Sequence, residues 1–423
     1  MSYLFAFAHM QQWQPYLAPA ALILFGLYLF ARRGLNPAIA KNQVFLLIII
    51  AYLVFNIALH IRPGFAPAAL VDLVATDGRL LYLLVFSLML SAIRLHADDL
   101  RALFKAGIIT GAAICAISFA SFLTQPFSAQ QFDFGSIQTA TGRWIVGFLE
   151  TKNPFAGSIG AVFLLALGAM FSSPRFRVFG LGRVVSLLVV ILLFAALVAS
   201  RSTGYFFGVI AALAYIVFFE RGFTMSERVR AYMKYALGVV AVIAAAAFLT
   251  LYSDRIGDLL AGQDVNMQRR VAIFSRTLQL IAQSPLLGLG PGAVQAYQLE
   301  THTIVPGLVA VRESAVFLDE FYWIGALPVG QHAHNIILQL TSDYGLIGVG
   351  LIFVFFLRAV FLRKGYADAD RSVIAIDFHA RVQLVYLVSA GMVAGYSISS
   401  PSTAWIFYAA LGWLCQPPRP EKA

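Results

Sequence analysis

Residues 184–199 read VVSLLVVILLFAALVA, residues 200–203 read SRST, and residues 204–219 read GYFFGVIAALAYIVFF. A helix needs about 20 mainly apolar residues to cross the hydrocarbon core of a bilayer. Each of these uncharged runs approaches that length with its flanks. The four residues between them leave room only for a tight reversal, so the pair is predicted as two antiparallel membrane helices with Arg201 at their shared rim. Apolar runs of the same kind recur along the chain. They centre on residues 17–31, 44–61, 80–95, 106–123, 154–171, 236–251, 346–362, 382–399 and 402–415, which brings the candidates to eleven. The composition agrees: 60% hydrophobic and 12% charged residues, with a mean hydropathy of +0.80, against roughly half apolar and a quarter charged in a soluble domain. The predicted class is all-α, a polytopic bundle of 11–12 spans with one large, partly helical outer loop.

Lys and Arg collect in cytoplasmic loops. Assigning alternate loops to opposite sides puts 20 of the 30 basic residues on one side, including Arg32, Arg33, Arg101, Lys105, Arg358, Arg371 and Arg381. Half of the others lie in the single long loop, where length weakens the rule, so the short loops set the orientation. The net charge of +10 is therefore mostly a topology signal, and no nucleic-acid partner is expected. Arg32 and Arg33 follow the first apolar run, whereas a signal peptide carries its positive charge ahead of its apolar core. A retained first helix with an outer N-terminus is expected; if residues 3–15 belong to a further helix, the count becomes twelve. Cys115 and Cys415 fall in apolar spans and read as small buried residues.

The chain divides into N-terminal membrane helices (1–251), a long outer loop (252–345) and C-terminal membrane helices with a short tail (346–423). In the loop, Ile273, Phe274, Thr277, Leu280 and Ile281 recur at three- and four-residue spacing, which predicts a helix over Asn266–Gln283. Ser284-Pro285 ends it and the following glycines turn the chain. A weakly patterned stretch runs from Glu300 to Gly330. A new helix is expected near His334, reaching Asp343, with Gly345 as a break before the span from Leu346. A second outer segment, Thr124 to Asn153, is rich in Gln, Ser, Thr and Phe. Pro154 then sits where a helix would start.

Two constellations carry chemistry. The first is cationic: Arg201, Arg143, Lys152, Arg269, Arg270 and Arg276 all fall on the outer side. Guanidinium forks match phosphate oxygens, each charge-assisted bond contributing about 1.5–3 kcal/mol. Arginines converging at headgroup level would hold a lipid diphosphate. Arg201 fits snorkelling to headgroups as well, and Arg269 and Arg276, seven apart, fit a solvated helix face. The second is His332-Ala333-His334-Asn335. A catalytic zinc site normally adds a third protein ligand, and no acidic partner motif stands nearby, so no metal or cofactor is expected. Asp368-Ala-Asp370 falls on the cytoplasmic side and reads as a solvated linker. His334 suits a general base: free histidine titrates near ~6.5, neighbouring cations favour its neutral form, and neutral imidazole accepts a proton from an attacking hydroxyl. A helix-capping histidine is the other reading. His332 and Asn335 are weaker contact candidates.

His334-Asn335, then Leu338, then Asp343-Tyr-Gly-Leu-Ile-Gly348 resembles the histidine-to-glycine signature of the O-antigen ligase and polymerase superfamily of bacterial inner membranes. Arg270-x-x-Ile273-Phe274 followed by Pro285-Leu-Leu-Gly288-Leu-Gly290 resembles the family's approach to its large periplasmic loop. Ser200-Arg201-Ser202 and Gly147 to Pro154 resemble its arginine after a membrane span and its glycine-to-asparagine stretch. The resemblance covers most of residues 140–350. It implies that Arg201 and Arg270 bind the diphosphate of an undecaprenyl-linked glycan, that Arg269 is a neighbouring candidate for the same position, and that His334 activates the acceptor. It implies an inverting, metal-independent transfer on the periplasmic face.

Within that superfamily an O-antigen ligase, joining glycan to lipid A-core, is expected. Polymerases commonly carry arginine followed eleven positions later by glycine in two comparable loops, whereas Arg201 leads to Ala212, Arg270 to Ile281 and Arg276 to Leu287. A polymerase, a protein O-oligosaccharyltransferase and, from a different class, a lipid-linked glycan transporter are the alternatives. Transport sites tend to lie near the midplane of the bilayer, whereas the candidate residues here cluster at one face.

Overall fold

The computed structural model describes residues 14–36, 40–60, 79–124, 132–133, 135–139, 142–147, 152–171, 182–200, 202–219, 265–291, 294, 323–324, 327–328, 333–361, 371–394 and 401–416, with scattered positions in 231–238. Its apolar runs are helices: α1 (Gln14–Arg33), α2 (Lys41–His60), α3 (Arg79–Ala92), α4 (Ala97–Thr124), α5 (Lys152–Phe171), α6 (Arg183–Ala199), α7 (Thr203–Phe218), α9 (Ile336–Phe361), α10 (Arg371–Ala394) and α11 (Pro401–Leu414), with α8 (Val265–Gln283) from the long loop. Among the described residues, four helices are long and apolar enough to cross a membrane: Lys41–His60, Ala97–Ala120, Ile336–Phe361 and Val373–Val393. Five shorter apolar helices accompany them. The chain is an all-α, multi-pass membrane protein. The predicted run 236–251 lies largely outside the described residues.

Lipid explains which faces are exposed. On α6, Ser186, Leu193, Ala196 and Leu197 are buried, while Val184, Leu188, Ile191 and Val198 on the opposite side are exposed. A helix apolar all round is at rest only when its outer face meets hydrocarbon. Inside the bundle α10 packs on α7, α11 on α3 and α5 on α6. At the α7–α10 crossing a Cβ on Gly208 would lie 2.9 Å from the Tyr386 carbonyl oxygen, so a hydrogen at that position lets the two backbones approach. Trp413 Nε1 donates to the buried Asp377 carboxylate at 2.6 Å and ties α11 to α10.

Helix ends inside such a bundle must find partners for their last carbonyls. At the end of α3, Ser91 O accepts from Gln43 Nε2 at 2.6 Å, Ala92 O from the Asn36 N–H at 2.7 Å and Ile93 O from Gln416 Nε2 at 2.7 Å. Beside them Arg33 pairs with Asp99 at 2.6 Å. Chain alternation puts this cluster at the end of the bundle opposite His334.

Four places differ from the sequence reading. Arg101 and Lys105, read as loop residues, lie inside α4, and Arg381 lies inside α10, which begins eleven residues before the predicted span. Arg101 finds a partner within its own helix, Asp98 at 2.5 Å, a pairing that hydropathy alone does not register. The second outer segment contains a small antiparallel sheet, β1 (Phe132–Asp133), β2 (Gly135–Thr139) and β3 (Gly142–Gly147), in the order β1-β2-β3. Its Ile137, Thr139, Trp144, Ile145 and Val146 include the branched and aromatic types that suit a pleated surface. The weakly patterned stretch holds a two-residue pair, β4 (Trp323–Ile324) with β5 (Leu327–Pro328).

Candidate active site

The site is built on a broken helix. Asn335 caps α9: its Oδ1 accepts from the Ile337 and Leu338 backbone N–H groups at 2.9 and 3.1 Å, an arrangement that satisfies donors a helix start leaves orphaned. Its Nδ2 donates to Met392 O near the end of α10 at 3.0 Å. Immediately before the cap stands His334, half-buried, with φ of 52°, a non-glycine residue in the left-handed region. Such a backbone state costs on the order of 1–3 kcal/mol and persists where surrounding structure over-determines it. The predicted histidine is therefore held in a strained conformation by a capped helix on one side. On the other, the Ala333 N–H donates to Gln339 Oε1 at 3.0 Å.

Ten residues past the Asn335 cap, α9 breaks. Gly345 has φ 68° and ψ 178° inside the helix, as its position in the sequence suggested. A break frees carbonyls above it and N–H groups below it, and the Pro285–Gly290 turn that follows α8 satisfies both sets. Leu289 N–H donates to Ser342 O at 2.8 Å and Gly290 N–H to Asp343 O at 3.0 Å, while Leu346 N–H donates to Pro285 O at 2.9 Å and Ile347 N–H to Leu286 O at 3.3 Å. The two motifs are thus one backbone interlock. It admits no side chain at its centre: a Cβ on Gly345 would stand 2.1 Å from Leu286 O, and one on Gly288 2.6 Å from Asp343 O.

The sequence reading missed the third member of this assembly, a polar stripe on α2. Asn56 Nδ2 donates to Leu287 O, Tyr52 OH donates to Tyr344 O at 2.7 Å, and His60 Nδ1 lies 2.7 Å from Asn56 O with its ring against Gly290. Tyr52, Asn56 and His60 are spaced four apart in an otherwise apolar span. That helical period of polar residues was the available signal.

The predicted cations are placed unevenly. Arg270 is half-buried on α8, on the same stripe as the buried Ile273, Thr277 and Leu280, and α8 packs directly on α9. Arg276 is half-buried on a neighbouring stripe of the same helix. Arg143 is in β3, Lys152 opens α5 and Arg269 is in α8; their side chains, like Arg201 and His332 altogether, lie outside the described residues. The neighbours of Arg201 are nonetheless fixed. Ser200 and Ser202 are buried, and Ser202 Oγ donates to Asn153 Oδ1 at 2.7 Å. That bond joins Asn153 in the first turn of α5 to Ser202 just before α7, and α7 packs on α10, which holds Asn335. The ends of α2, α8 and α10 and the starts of α5, α7 and α9 thus share one end of the bundle. Imidazole can take a proton from a hydroxyl, and guanidinium groups can offset negative charge on a departing phosphate.

Residues 187–353 match the family model described as O-antigen ligase, a stretch of less than half the chain that runs from α6 into α9. No curated protein matches the sequence.

Proposed function

We propose, from the match of residues 187–353 to the O-antigen ligase family model, that this chain transfers an undecaprenyl-diphosphate-linked glycan to a hydroxyl of lipid A-core on the periplasmic face of the inner membrane. The superfamily comprises glycosyltransferase-like membrane enzymes acting on lipid-linked glycans. The observation that carries the finer reading is His334, held at φ 52° before the capped start of α9, the helix against which the Arg270-bearing α8 packs.

In the proposed reaction the acceptor hydroxyl oxygen attacks the anomeric carbon while His334 takes its proton. The new glycosidic C–O bond forms as the bond from the anomeric carbon to the diphosphate oxygen breaks. The electron pair leaves with undecaprenyl diphosphate, whose charge Arg201 and Arg270 offset, with Arg269, Arg143, Arg276 and Lys152 as further cations on that side. Both lipids would enter laterally from the membrane.

Reconstituted protein supplied with labelled undecaprenyl-diphosphate glycan and purified lipid A-core is expected to form a covalently linked product. His334→Ala should lower kcat by about 100-fold or more. Arg270→Ala should lower kcat/KM for the donor by about 10-fold or more, the loss of a charge-assisted contact. Full turnover by His334→Ala would remove the base, and movement of donor lipid without product would favour a transporter.

A further inference from the structure

We propose that Gln339 and Asp343 are positioning residues that set the orientation of His334 through a buried amide–carboxylate relay. The inference rests on the reading of His334 as the base. Gln339 Oε1 accepts the Ala333 N–H at 3.0 Å, and its Nε2 donates to Asp343 Oδ2 at 2.9 Å. Ser342 Oγ lies 3.4 Å from the other carboxylate oxygen. Gln339 and Asp343 are nearly inaccessible, and Ala333 is fully so.

An amide has a donor end and an acceptor end. Here only one orientation serves both neighbours, because the reverse would set N–H against N–H at Ala333 and oxygen against carboxylate at Asp343. The carboxylate therefore dictates which way Gln339 faces, and Gln339 holds Ala333, the residue before His334, by its backbone N–H. The peptide that leaves His334 belongs to Asn335, anchored to α9 and α10. Clamped on both sides, His334 keeps a backbone conformation it would otherwise leave. Asp343 is also tied into the interlock through its own carbonyl, which accepts from Gly290. The relay thus links the geometry of the base to the docking of the Pro285–Gly290 turn.

The full-length protein, reconstituted with the same donor and acceptor, tests this by exchanging the two chemistries. Gln339→Leu and Gln339→Glu should each lower kcat by about 10- to 100-fold, the cost of a base displaced by about an ångström, while donor KM changes little. In Gln339→Glu two carboxylates face each other. Combining it with Asp343→Asn restores complementarity, since the carboxylate now at 339 accepts from Ala333 N–H and from the new amide at 343. That double variant should recover kcat to within about threefold of the original, a coupling that independent sites do not show. Single substitutions that change only the yield of folded protein or donor KM would overturn the relay, and so would a double variant no better than its worse single parent. His334→Ala, assayed in parallel, separates the two failures. If it retains turnover, the base assignment falls and takes the relay with it; if it is inactive while the double variant stays unrescued, the relay alone falls.

Discussion

At the scale of single residues, Asn335 shows how one side chain serves two elements. Its oxygen supplies the α9 cap and its nitrogen supplies the bond to α10. Loss of a cap costs about 1 kcal/mol and loss of an ordinary hydrogen bond a further 0.5–1.5 kcal/mol or so. Asn335→Ala is therefore expected to destabilise the protein by roughly 2 kcal/mol, the sum of those two terms. Asn335→Asp keeps the acceptor, loses the donor and should lower the melting temperature in detergent by less. Equal losses in thermal unfolding would mean that the cap carries nothing, and an unchanged Asn335→Asp would mean that the bond to Met392 carries nothing. His334 gains its conformation from this cap and from Ala333, so its placement is a property of the residues around it rather than of the imidazole.

At the scale of elements, the interlock between the Pro285–Gly290 turn and the α9 break joins two glycine-rich motifs by four backbone hydrogen bonds. Gly345→Ala and Gly288→Ala each place a methyl group in backbone atoms at 2.1–2.6 Å and force a non-glycine residue to positive φ. Each should cost about 3 kcal/mol or more. Both act on one contact, so the double variant should lose clearly less than the sum of the singles. Thermal unfolding of the three variants in detergent checks this, and strict additivity would show that the turn and the break are separate structures. The α2 stripe of Tyr52, Asn56 and His60 extends the same contact to a third helix.

At the scale of the whole molecule, the alternation of helices sets His334 and the Arg33–Asp99 pair at opposite ends, and the charge count predicts that the His334 end faces outward. Both native cysteines are fully buried, so single introduced thiols report cleanly. Ser275→Cys on α8 and His96→Cys before α4 replace exposed residues at the two ends. A membrane-impermeant thiol reagent should label the first in intact cells and the second only after permeabilisation; the reverse pattern would invert the topology. The sequence by itself determined the membrane class, the placement of the apolar helices, the α8 stripe and the break at Gly345, because hydrophobic period, proline and glycine act locally on the chain. It also singled out His334, Asn335 and Arg270 through their motifs. Only the tertiary structure decided that the two glycine motifs satisfy each other's backbone, that Asn56 and His60 attend them, and that Gln339 faces Ala333. These are bonds between segments up to 231 positions apart. A buried polar group must find a partner somewhere, but only the packed helices decide which distant group that partner is.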